Sequence, residues 1–149
     1  MRILPVLSLV VALLVAVAPA AQAASPYRSI DGSKVNLRAG PGKDHKRLFV
    51  VSQGYPVRVV ERRNGWAEVE DYEGDRGWVF ADLLSDRRTV VVIKPLVNVR
   101  KGPSTDREVA FKAERNVLLR YLGAKGKWVH VRHADGDEGW VYAPLVWGD

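Results

Sequence analysis

Apolar and polar residues alternate along most of this 149-residue chain in short runs, each ended by Gly, Pro, Asn or Asp. Such period-two runs between turn residues predict β-strands. Lys34–Arg38 alternates toward a turn at Ala39-Gly40-Pro41-Gly42. Leu48–Ser52 is apolar and β-prone, and Gly54-Tyr55-Pro56 breaks it. Val57–Glu61 then runs to Asn64-Gly65, a strong two-residue hairpin signal. Trp66–Glu70 alternates large and small, Tyr72–Asp75 turns, and Gly77–Phe80 is the next strand. Ala81-Asp82-Leu83-Leu84 is too short for a helix and suits one tight turn. Beyond the amino-terminal leader no segment holds helical periodicity for three turns. Five or six short strands in about 60 residues imply an all-β fold, a small closed or nearly closed barrel.

The whole pattern occurs twice. Val35-Asn36-Leu37-Arg38-Ala39-Gly40-Pro41 is answered by Val97-Asn98-Val99-Arg100-Lys101-Gly102-Pro103, and Trp66 and Trp78 by Trp128 and Trp140, always 62 residues later. Residues 35–84 align with 97–146 without a gap, and about a third of the positions are identical. A repeat of this length is a small domain, so the chain divides into barrels at residues 27–88 and 89–149. In the second copy Gly126-Lys127 replaces the Asn64-Gly65 hairpin. The β-branched run Val90-Val91-Val92-Ile93 aligns with Arg28–Asp31 and also follows the first repeat's terminal turn. It is expected to close barrel one while leading into barrel two.

The first 23 residues read as a secretory signal peptide. Met1-Arg2 gives a positive start, Ile3–Val17 is mostly apolar, and Ala21-Gln22-Ala23 supplies the small-x-small cleavage pattern. The apolar run is short for the roughly 20 residues of a membrane span. Cleavage is therefore expected after Ala23, with a periplasmic or secreted product and no stable membrane insertion. No cysteine is present, so stability must come from packing without disulfides. Lys and Arg number 23 against 17 Asp and Glu, and Arg2 belongs to the leader, which leaves an excess of five. That balance favours anionic partners. For an exported protein these are envelope polymers rather than nucleic acid.

Catalytic and cofactor chemistry finds little support. Gly40-Pro41 and Gly102-Pro103 lie near cations, but no helix follows to form a phosphate cradle. His130 and His133 are three apart on a strand and point to opposite faces. Converging metal ligands are therefore not in view, and no metal or cofactor is expected. The serines lack a base at motif spacing. Glu68, Asp71 and Asp75 are plentiful acids, but a 60-residue barrel offers little depth for a water-excluding cleft. The chain is expected not to be an enzyme.

The order V-N-[LV]-R-x-G-P, then x-W, then G-x-x-G-W-V before a short turn resembles the bacterial SH3-like (SH3b) domain, and both copies carry it. The resemblance implies two tandem small SH3-like β-barrels. It also implies binding of cell-wall peptides or glycans, with peptidoglycan or its peptides first. A protein–protein adaptor docking a peptide of an envelope partner protein is the alternative. Fold analogy offers Tyr55, Trp66, Tyr72, Trp78, Trp128, Trp140, Tyr142, Trp147, Arg38 and Arg100 as candidate ligand contacts. Alternation reads the four repeated tryptophans as mainly core, with a stacking platform as the other reading. Trp147, whose counterpart is Ser85, is either a plug on barrel two or a ligand contact.

Overall fold

The computed structural model describes residues 23–149. The expected signal peptide lies outside them except for Ala23. Repeat one forms β1 (Tyr27–Ile30), β2 (Val35–Arg38), β3 (Arg47–Val51), β4 (Pro56–Arg63), β5 (Trp66–Glu70), β6 (Arg76–Phe80) and β7 (Leu84–Ser85). A 3-10 turn, Ala81–Leu83, separates the last two. Repeat two forms β8 (Thr89–Val92), β9 (Leu96–Arg100), β10 (Val109–Glu114), β11 (Leu118–Lys125), β12 (Trp128–Arg132), β13 (Glu138–Tyr142) and β14 (Val146–Trp147). The strand orders β3-β2-β6-β5-β4-β1-β7 and β10-β9-β13-β12-β11-β8-β14 are the same order moved by seven. All neighbouring strands are antiparallel; β4-β5-β6 is a meander, while β2 joins its free side at β6 and β1 at β4.

Local sequence explains the turns. Asn64 and Gly65 take φ of 50° and 81°, the mirror-image hairpin turn that suits the strand twist, and Arg63 pairs Trp66 across it. In repeat two Gly126 takes φ 59°, and its neighbour Lys127 is not among the residues with positive φ.

Each sheet curls because its ladder is interrupted twice, at matching places. Pairing shifts between Val59 and Glu61 in β4 and between Tyr121 and Gly123 in β11. It shifts again beside Leu48 in β3 and Ala110 in β10. Extra residues bend a strand and add twist. One consequence is that Ile30, Val35, Leu37, Val57, Ala67, Val69 and Val79, from five strands, meet in a single buried cluster. Val90, Val92, Val97, Val99, Leu119, Val129, Val131 and Val141 do the same in repeat two. The barrels are not closed: among the described residues no pairing joins β3 to β7 or β10 to β14.

The core corrects the reading of the tryptophans. Trp66 pairs Phe80, Glu68 pairs Trp78 and Glu70 pairs Arg76 on one face, while Ala67 pairs Val79 and Val69 pairs Gly77 on the other. The second set is buried in the core cluster, and the first faces outward. In β12 and β13 Trp128 pairs Tyr142 and His130 pairs Trp140, again outside the valine core. So tight a coil has an interior filled by Val, Leu and Ile; the indoles pack on its outer face, where Trp78 is buried and Trp66, Trp128 and Trp140 are half-buried. Gly77 and Gly139 show why β6 and β13 carry glycine. A Cβ at Gly139 would stand 2.6 Å from the Arg100 carbonyl oxygen, and one at Gly77 would stand 2.8 Å from the Leu37 Cβ. At Gly40 and Gly102 the crowding comes from the His45 and Arg107 side chains, which can move.

The run at Val90 also departs from expectation. β8 pairs β11 and β14 of repeat two, and barrel one ends instead with β7 on β1. Both neighbours of β8 in its sheet are thus supplied by its own repeat. The repeats still touch. Val91 is buried on the opposite face of β8 from Val90 and Val92, and β8 lies against β4. The Thr89 hydroxyl donates to the Gly54 carbonyl. The Tyr72 hydroxyl donates to Asn116 Oδ1 at 2.9 Å, and the Tyr27 and Trp147 rings meet edge-on at 5.0 Å.

Candidate binding grooves

The outward aromatic faces build one groove per repeat at matching positions. In repeat one Trp66 and Phe80, side by side on β5 and β6, form an edge-on pair 5.8 Å apart. With Asn36 and Arg38 of β2 and Leu83 of the 3-10 turn they line a groove of about 570 Å³. In repeat two Trp128, Tyr142, Asn98, Arg100 and Leu145 stand 62 positions later and line one of about 560 Å³. Phe80 is 41% exposed and Tyr142 37%, unusual for rings of that size. Strand period two sends Asn36 and Arg38 to this face while Val35 and Leu37 enter the core.

The arginine has a structural duty as well. Arg38 Nη1 donates to the His45 carbonyl at 3.0 Å, and Arg100 Nη1 to the Arg107 carbonyl at 2.9 Å. Each ties down the loop after the Gly-Pro turn and keeps further N–H donors on the groove side of the strand. A flat ring pair beside a guanidinium fork can stack on an apolar or planar group and bind a carbonyl or carboxylate beside it.

Of the ten expected contacts, Arg38, Trp66, Arg100, Trp128 and Tyr142 line the two grooves. Trp78 is 8% exposed beneath the Arg63 guanidinium, 5.4 Å from its ring centre, and Trp140 lies under His130 in a parallel stack at 4.7 Å. Both indoles are covered by their own chain. Tyr55 and Tyr72 belong to neither groove. The Tyr55 hydroxyl donates to Asp71 Oδ2 at 3.0 Å, and burial first and then that carboxylate push its phenol well above the usual range. Burial raises Tyr72 too, and its hydroxyl is engaged with Asn116. Trp147, on β14, sits against Tyr27 in the contact between repeats and lines neither groove. Asn36, Asn98, Lys34, Lys43, Leu83, Leu96 and Leu145 line the grooves without being among the expected contacts. Asn36 and Asn98 were visible in the repeated Val-Asn-x-Arg motif, in phase with the arginines.

Acids do gather at one turn. Asp71, Glu73 and Asp75 bring carboxylate oxygens within 4.8 Å of one another. Asp71 Oδ1 accepts the Glu73 and Asp75 amides at 2.9 and 3.0 Å, so that carboxylate holds the turn. In repeat two His133 Nδ1 accepts the Asp135 amide at 3.3 Å in the same place. His130 instead faces Glu138, so the two imidazoles have separate partners.

Comparison with known proteins bears on the family of the two repeats. Two family profiles, each described as Bacterial SH3 domain, match residues 33–85 and 94–148. YrvJ of Bacillus subtilis (strain 168), provisionally named an N-acetylmuramoyl-L-alanine amidase, is 23% identical over 134 residues, which cover 79% of this chain and 26% of that protein. Protein p60 of Listeria monocytogenes serovar 1/2a (strain ATCC BAA-679 / EGD-e), provisionally named an endopeptidase, is 27% identical over 86 residues, covering 57% of this chain and 18% of that one. The solved NlpC/P60 family protein from Bacillus cereus ATCC 10987 is 18% identical, with a TM-score of 0.37 over 81% of this chain and 55% of that one. The chain thus spans about a quarter or less of the curated relatives' length. With both repeats matched, and the all-β sheets in the same order, the chain belongs to the bacterial SH3 domain family, present here as a tandem pair.

Proposed function

We propose that this protein is an exported, non-catalytic binding module that recognises peptidoglycan or its peptides through the two equivalent grooves. The observation that carries the reading is the duplicated groove itself: ring pair, asparagine and arginine recur at the same sheet positions. The name given to one relative, an N-acetylmuramoyl-L-alanine amidase, supports the ligand class. The excess of five positive charges favours an anionic polymer. Among the described residues no helix is long and apolar enough to cross a membrane.

Co-sedimentation of residues 24–149 with purified wall sacculi tests this. Two weak sites held close together bind jointly far better than either alone. Trp66→Ala or Trp128→Ala should therefore cut retention severalfold, and the double variant should abolish it. Undiminished retention of the double variant would remove the grooves from the mechanism. A second reading, an adaptor for an envelope protein's peptide, draws on β3. That edge strand exposes Leu48, Phe49 and Val50 and has a free side for strand addition. Absence of sacculus retention, with a protein partner co-purifying, would favour it.

A further inference from the structure

The two grooves share size and shape but not charge. Lys34 and Lys43 line groove one together with Arg38, and no acid does, while Lys34 also borders a neighbouring cleft that holds Asp71, Glu73 and Asp75. The residues 62 positions later are Leu96 and Thr105, which line groove two and leave Arg100 as its single cation. The volumes, about 570 and 560 Å³, are nearly equal, so the exchange alters charge while leaving capacity alone. Both lysines are exposed, and neither takes part in the ion pairs formed among the described residues. By contrast Lys101, just outside groove two, is neutralised by Glu108 at 2.7 Å. Unpaired cations along an apolar-walled cleft raise the local concentration of anions.

Resting on the peptidoglycan-peptide reading above, we propose that the grooves divide the ligand between them. Groove one takes a peptide segment bearing free carboxylates, its apolar part on Trp66 and Phe80 and its carboxylates toward Lys34 and Lys43. Groove two takes an uncharged segment, held by Trp128 and Tyr142 and by the hydroxyls of Ser104 and Thr105. The polarity of the pair follows: a chain that alternates ionised and amidated or apolar stretches fits in one direction only.

The probes are a short synthetic wall-type peptide with free carboxylates and its fully amidated twin. Each is titrated into residues 24–149 while the indole N–H resonances of Trp66 and Trp128 are followed separately. Exposed ion pairs have modest worth, so the acid form should occupy groove one at about three- to tenfold lower concentration than the amide. Trp128 should respond alike to both. Joint Lys34→Leu and Lys43→Thr should erase the difference at Trp66, and joint Leu96→Lys and Thr105→Lys should create it at Trp128. A preference at Trp66 that survives loss of both lysines, or equal responses at both indoles, overturns the division of labour while leaving envelope binding intact. Peptides that move neither indole overturn this inference, and retention on sacculi by the same protein then decides the proposed function separately.

Discussion

Adding one methyl group at Gly139 should loosen repeat two measurably, whereas the same change at Gly123 should not. The Gly139 Cβ would stand 2.6 Å from the Arg100 carbonyl oxygen, 2.8 Å from Val99 Cγ1 and 3.4 Å from Ala110 Cβ. The nearest atom is backbone, so β13 and β9 must separate by several tenths of an ångström, and Val99 belongs to the core. Overpacking of this kind costs about 1–3 kcal/mol. Replacing glycine also removes freedom from the unfolded chain, which returns roughly 0.4–1 kcal/mol. The net loss for Gly139→Ala is therefore on the order of 1–2 kcal/mol, or a Tm lower by about 4 °C or more for a small domain. A Cβ at Gly123 meets nothing within 4 Å and the residue lacks a positive φ, so Gly123→Ala should match or exceed the parent. Thermal unfolding by circular dichroism of the three proteins decides it. If Gly139→Ala melts at or above Gly123→Ala, the close strand approach is not what fixes glycine there.

Acid should weaken the fold through its arginine-paired glutamates. Arg58, then Arg76, hold the Glu70 carboxyl below its usual 4.5, and Arg132 does the same for Glu138. A lowered folded pKa gives stability that is complete above the unfolded value and is lost as pH falls through the folded one. Melting temperature should thus start to drop near pH 4.5, less steeply in Glu70→Gln, and an identical slope in that variant would refute the assignment. Trp147→Ala removes the edge-on contact with Tyr27, worth roughly 0.5–1.5 kcal/mol beyond area. One calorimetric transition should become two as the repeats uncouple, and unchanged coincident melting would show that the contact is idle.

Strand positions, turns and the duplication were legible because each depends on neighbours in sequence. Asn64-Gly65 names its own turn, and Trp66–Glu70 forms the strand its alternation marks. Alternation alone does not say which face turns inward. Trp66 is in phase with Glu68 and Glu70, and Trp78 with Arg76, so the charged partners were the available signal that the indoles face out. The bulges beside Val60 and Leu122 left no such mark. The groove depends on three strands and a turn meeting in space, so five of its expected residues were found and its lysines and leucines were not. Trp147 was ambiguous because its partner, Tyr27, lies in the other repeat.

The open ladder has a cost for life at high concentration. β3 ends its sheet with Leu48, Phe49 and Val50 exposed, Val50 by 60%, and such an edge invites another copy to pair with it. Lys46 and Arg47 stand exposed at the head of that strand, and the bulge beside Leu48 twists it, both of which oppose edge-to-edge pairing. Repeat two guards its own edge by placing Lys112 and Glu114 within β10. Lys46 and Arg47 thus act against self-association at this edge whatever the protein binds.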